Sequence, residues 1–271
     1  MSSLASRAAV ALLAFASCAL PALADVAPTR TAVDGEPVHA VLWVGNSFFY
    51  YNNGINNFMA QLARASGSGL VERHTMATIS GGGIDWHDVD SYLKPGARVG
   101  SYSFVGDNEV RFNKDGRQFD TVVIMDCSQC PIHPQLKGIF HDYAKKDAEA
   151  ARRNGVRPVL FMSWAYKDKP AMTAQLADAY TTEANANDML VIPAGLAFAR
   201  AIARKPGLEL YQPDKRHPSR AGTYLAACTA LATLTGKSPV GNPWLAELDA
   251  DTARFLQETA WETVGDYFKA R

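Results

Sequence analysis

The chain has no basic cluster longer than pairs such as Lys145-Lys146 and Arg152-Arg153, and Lys plus Arg equals Asp plus Glu at 27 each. That balance excludes a nucleic-acid surface, which needs a patch or stripe of one sign. Internal repeats and low-complexity linkers are missing as well, which excludes a solenoid or a string of modules. His74, His87, His133 and His141 show no paired metal-ligand spacing with one another or with cysteine, so no metal is expected, and no other cofactor. After its first two dozen residues the sequence lacks any apolar stretch of the ~20 residues that a membrane-spanning helix requires. What the chain does have is bulk. It is 271 residues long, 48% hydrophobic and 10% aromatic, enough for a sizeable core without disulfide or metal staples.

The N-terminus differs in kind from the rest. Arg7 precedes an apolar run over residues 8–20, and Ala22-Leu23-Ala24 presents small residues where a signal peptidase cuts. This pattern predicts a secretory signal over 1–24, cut after Ala24, and a periplasmic or secreted mature protein with no stable membrane insertion. Cys18, behind Ala16-Ser17, offers lipidation as an alternative, with Phe15 where a leucine is usual. Cleavage leaves Cys127, Cys130 and Cys228, an odd count that implies at least one free or intermolecular thiol in an oxidising compartment. Cys127-Ser128-Gln129-Cys130 has dithiol spacing. A redox cysteine sits at a helix N-terminus, whereas this motif follows a strand-like run and is followed by Pro131. A local disulfide or buried thiols fit better, and pairing with Cys228 stays open.

Apolar runs at 38–44, 119–125, 157–164 and 189–192, with a weaker one at 70–78, alternate with helical patterns at 54–65, 136–153, 171–187, 193–203 and 219–235. Such alternation predicts an α/β fold with a mostly parallel five-stranded sheet covered by helices on both faces. Residues 25–271 form one domain. Residues 94–118, rich in Gly, Ser and charge, read as a surface insertion with a possible hairpin near 109–112. The aromatic and leucine spacing over 243–270 reads as a C-terminal helical segment whose aromatics belong to the core.

Two segments carry the chemistry. Ser47 ends a Gly45-Asn46-Ser47 turn after the first apolar run, at the C-terminal edge of the sheet where ligands of open α/β folds bind. Asp214 and His217 lie three residues apart on a loop before a helix that starts near Ser219. Acyl transfer needs these three types: a serine hydroxyl, an imidazole to accept its proton, and a carboxylate to hold the imidazole's tautomer.

With these residues in hand, the chain resembles the SGNH (GDSL-type) hydrolases, a family of esterases, lipases and carbohydrate deacetylases. Gly45-Asn46-Ser47 is similar to the family's first block, with Asn where Asp is commoner, and Asp214-Lys215-Arg216-His217 to its last. The resemblance runs from about Val38 to Thr235. It implies a flavodoxin-like three-layer sandwich, Ser47 as nucleophile, His217 as base and Asp214 as its partner. The second block matches Ser80-Gly81-Gly82-Gly83, with Gly82 as the oxyanion-hole glycine beside the Ser47 amide. The third block departs from the family: Asp126-Cys127-Ser128-Gln129 stands where Gly-x-Asn-Asp is usual. Gln129 takes the carboxamide role there, with Ser128 as the competing donor. Asn46, Ser128, Trp86 and Trp164 are candidates for the substrate cleft. The expectation is thus a secreted serine esterase acting on a small-molecule or glycan ester. The alternatives are an acyltransferase, a non-catalytic glycan-binding protein of the same fold and, more remotely, a periplasmic thiol protein using Cys127 and Cys130.

Overall fold

The computed structural model describes residues 25–67, 73–106 and 108–269, so the expected signal segment lies outside the described residues. Five strands make the main sheet: β1 (Ala40–Gly45), β2 (Arg73–Thr78), β5 (Thr121–Ile124), β6 (Arg157–Phe161) and β7 (Leu190–Ile192). Their order is β2-β1-β5-β6-β7 and every pairing is parallel. β1 and β5 are buried along their whole length, as strands covered on both faces must be. β2 is one of the two edge strands and is only half buried throughout, and this partial burial explains its weaker apolar text.

The helices form two groups around this sheet. Helices α2 (Ile55–Ala65), α6 (Ala194–Arg204), α7 (Arg220–Thr235) and α8 (Ala250–Lys269) pack together, and α3 (Val89–Leu93), α4 (Lys137–Arg153) and α5 (Met172–Ala186) make the other group. The result is the expected α/β sandwich with flavodoxin-like strand order. Helix α7 is buried on nearly every side, and at Gly222 a Cβ would meet the Leu210 carbonyl at 2.3 Å. That glycine lets the helix start press against the loop carrying Asp214 and His217. Ser219 caps α7 by accepting from the Gly222 amide at 3.2 Å.

Two expectations change at the periphery. The C-terminal helix begins at Ala250 rather than near 243, because Ala246 and Glu247 take positive φ values of 52° and 59° that no helix accommodates. Trp261, expected in the core, is 39% exposed. The insertion does hold a hairpin, β3 (Tyr102–Gly106) paired antiparallel with β4 (Glu109–Phe112). Tyr102, Phe104 and Phe112 stand out from it into solvent.

Candidate active site

At the end of β1 a Cβ on Gly45 would lie 2.9 Å from the Phe49 ring, so glycine is required where the chain turns into the single-turn helix α1 (Ser47–Tyr50). Asn46 ties this turn to two other loops. Its Oδ1 accepts from the Phe48 amide at 3.2 Å, and its Nδ2 donates to the carbonyls of Gly82 and Asp126, each at 3.1 Å. Asn46 is buried, which corrects the cleft expectation for it: a carboxamide with these bonds is a staple between loops. His87 supports the same turn by donating from Nε2 to the Gly45 carbonyl at 2.9 Å. Burial lowers its pKa, outweighing the Gly45 bond and nearby Asp85, so the ring is held neutral.

The loop before α7 closes on itself. The Gln212 amide donates to the His217 carbonyl at 2.8 Å, the Lys215 amide to the Gln212 carbonyl at 2.9 Å, and Lys215 adopts φ 65°. Asp214 Oδ1 accepts from the amides of Arg216 and His217 at 2.9 and 3.0 Å, while Oδ2 accepts from His217 Nδ1. His217 Nε2 then faces Ser47 Oγ at 2.8 Å. The three residues expected to act together are therefore in one hydrogen-bonded file, with Nδ1 protonated toward the carboxylate and Nε2 free to accept from the serine. Burial opposes the charge on Asp214, but the bonds from the His217 ring and the two amides prevail, and its carboxyl lies below the usual range.

Aromatic rings surround this histidine. Tyr51 stacks on it with centroids 4.0 Å apart and planes at 10°, and Phe48 meets it edge-on at 5.3 Å and 71°. Trp164 is sandwiched between Phe48 and Phe198 at 4.9 and 4.3 Å, and its indole donates to the Arg216 carbonyl at 2.9 Å. It is fully buried, so the cleft expectation for Trp164 is also corrected. It holds the histidine loop from beneath. Trp86 lies where a cleft residue would: 59% exposed, its amide donating to Gly83 at the end of the glycine loop.

The glycine loop requires a third correction. The Gly82 amide donates to the Ile79 carbonyl at 3.0 Å and is not free for an oxyanion. The Gly83 amide has no acceptor among the described residues, and neither has the Ser47 amide. A Cβ on Gly83 would sit 2.7 Å from Asp85 Oδ1 and 3.3 Å from Asp126 Oδ1, so any side chain here would displace Asp85 and crowd Asp126. Asp126 organises the region. It is 1% exposed, and its Oδ1 accepts from the amides of Ile84 and Cys127 at 2.8 and 2.7 Å. Burial pushes its pKa up to about 6 against the pull of those two bonds, and its Oδ2 is buried without a partner. Its one sequence signal is an acid ending an unbroken apolar strand.

Cys127 and Cys130 form a disulfide that closes the loop carrying Ser128 and Gln129, while Cys228 is free and buried. Ser128 Oγ is engaged with the Tyr166 hydroxyl at 2.6 Å. The Gln129 carboxamide makes no hydrogen bond among the described residues and is part-exposed, so it remains available. Asp126, Cys127 and Cys130 are the one group among the described residues whose side-chain atoms lie within 4.8 Å of one another as metal ligands would. With both sulfurs in a disulfide, the thiolates such a site needs are not on offer. A cavity of about 280 Å³ between the loops around Lys167 and Glu209 contains none of the catalytic candidates.

The order of the parallel strands and the helices around them make this chain similar in fold to solved SGNH- and GDSL-type proteins. A DUF4886 family protein from Bacteroides uniformis matches with a TM-score of 0.61 at 20% identity, over 86% of this chain and 97% of that one. A putative SGNH hydrolase from Slackia heliotrinireducens gives 0.52 at 22%, over 72% and 98%. A putative lipolytic protein of the G-D-S-L family from Desulfitobacterium hafniense gives 0.50 at 18%, over 72% and 99%. No family model matches the sequence, and no curated protein matches it. At these identities the likeness is one of fold, and the chemistry has to be argued from the residues.

Proposed function

We propose that the protein is a serine ester hydrolase working through an acyl-enzyme. The observation that carries this reading is the 2.8 Å contact between Ser47 Oγ and His217 Nε2, with Nδ1 of the same ring held by Asp214. Ser47 Oγ attacks the acyl carbon while its proton passes to Nε2, and the carbonyl electron pair moves onto oxygen. The tetrahedral centre collapses, the alcohol leaves with the proton from Nε2, and the acyl group stays on Ser47. Water then attacks the acyl carbon as its proton goes to Nε2. Collapse releases the acid and returns the proton to Ser47. The oxyanion meets the amides of Ser47 and Gly83 and the Gln129 carboxamide; loss of one such donor costs roughly 10²–10³ in rate.

In this reading the mature protein begins after Ala24 and acts outside the cytoplasm on an O-acylated glycan or a small ester. The exposed Trp86 indole beside the glycine loop supports the glycan, because an aromatic face suits a sugar ring. Transfer of the acyl group to a sugar hydroxyl shares every step up to the acyl-enzyme, and product analysis separates it from hydrolysis.

Hydrolysis of short- and long-chain nitrophenyl esters tests the reading. The wild type should turn over, and Ser47→Ala and His217→Ala should lose about 10³-fold or more with unchanged folding. Equal rates in all three proteins would overturn it.

A further inference from the structure

Asp214 is an exposed anchor for a catalytic histidine. Its side chain is 42% accessible and that of His217 is 21%, so water competes for the carboxylate and screens its charge. A second restraint covers the face of the imidazole, and it comes from the nucleophile's side of the site. The Tyr51 ring lies flat on His217 at 4.0 Å and 10°.

The backbone that brings Tyr51 there is unusual. Asn52 and Asn53 have φ of 54° and 70°, and Gly54 follows at 89°. Consecutive non-glycine residues in the left-handed region are strained, though asparagine tolerates it better than most. The surrounding structure holds them by the Asn52 carboxamide, which donates to the Pro218 carbonyl and to Thr223 Oγ1, both at 2.8 Å. Pro218 directly follows His217, and Thr223 belongs to the first turn of α7. Strain of this kind, kept beside a reacting group, points to a functional constraint.

We propose that Tyr51 is a positioning residue for His217, locked in place by Asn52. The inference rests on the hydrolase reading above. The stacked ring keeps Nε2 aimed at Ser47 Oγ when water loosens the Asp214 bond. Its π face also favours the imidazolium that forms as the serine gives up its proton. The Tyr51 hydroxyl makes no hydrogen bond among the described residues, so the ring alone carries the role.

Steady-state hydrolysis of a nitrophenyl ester and the rate of fluorophosphonate labelling of Ser47 test this on four proteins. Tyr51→Leu should lower kcat about 3- to 10-fold, the range expected of one aromatic contact, with KM within about twofold of wild type. Tyr51→Phe should keep the wild-type kcat. Asn52→Gly, which accepts the positive φ and removes both hydrogen bonds, should lower kcat in the same direction. Labelling should slow in parallel, because it needs the base and no substrate binding. Wild-type kcat in Tyr51→Leu, a raised KM at unchanged kcat, or an equal loss in Tyr51→Phe would each overturn the proposal. If Tyr51→Leu fails to fold, Asn52→Gly decides, and unchanged kcat in it overturns the proposal. A wild type that neither hydrolyses nor labels would overturn the hydrolase reading itself, and this inference with it.

Discussion

The two halves of the site are built in opposite ways. The serine side, from Gly45 to Phe49 with the Gly82–Gly83 turn and Asp126, is buried and cross-linked by side-chain bonds between loops up to 80 residues apart. The histidine side, from Gln212 to His217, stands largely in solvent and is closed by short-range backbone bonds and by the rings of Phe48, Tyr51 and Trp164. In the first region, removing a side chain that ties the loops together, as Asn46 does, harms the fold along with the site, because unpaired polar groups remain in the core; Ser47, whose hydroxyl meets only His217 among the described residues, makes no such tie. In the second, chemistry and stability come apart.

Asn46→Ala gives the contrast its largest test. Three buried hydrogen bonds disappear, and at ~1 kcal/mol each the Tm should fall by roughly 6–10 °C. Activity should fall by about 10²-fold or more as the glycine loop loses its tie to the serine turn. A normal Tm in this variant, measured by thermal unfolding, would break the comparison. Asp214→Ala should instead cost about 10²-fold in kcat, the lower end of the general-base range, while the Tm moves by no more than a degree or two. A large loss of stability there would show that the loop depends on its carboxylate for folding.

The smallest effect sharpens the contrast through pH. Asp126 has its folded pKa raised to about 6 by burial, so its contribution to stability is complete below the unfolded value near 4 and is lost as pH rises through about 6. Asp214 has its folded pKa lowered, so its contribution is present above the unfolded value and is lost as pH falls through the folded one. The two carboxylates therefore tilt stability in opposite directions. Asp126→Asn should flatten the decline between pH 4 and 6 and raise the Tm by a few degrees at pH 8, whereas Asp214→Asn should leave that window unchanged.

The sequence revealed the architecture best where one cause dominates. Strands buried along their length are apolar on both faces, so β1, β5, β6 and the buried edge strand β7 stand out as continuous runs, while the half-buried edge strand β2 does not. The helices α1 and α3, with four and five residues, are too short to show a period. Ser47, Asp214 and His217 come together as their order and spacing predict. Gly82 gives way to Gly83 because a turn bond to Ile79 consumes one amide in a row of three glycines, and spacing carries no trace of that bond. Asn46 and Trp164 read as cleft residues because asparagine and tryptophan suit either role; what buries them are carbonyls 36, 80 and 52 residues away. The roles of Asp126 and Tyr51 are not legible in the sequence for the same reason, since each is defined by what packs against it from elsewhere in the chain.

One consequence of the Ser47–His217 contact lies in time rather than in chemistry. The two residues are separated by 170 positions, and the histidine loop leads directly into helix α7. In the hydrolase reading proposed above, a nascent chain carries Ser47 through most of its synthesis without the histidine that would activate it. Activity should appear as one of the last events of folding, after the distant strands have paired, and so should serve as a readout of completed assembly.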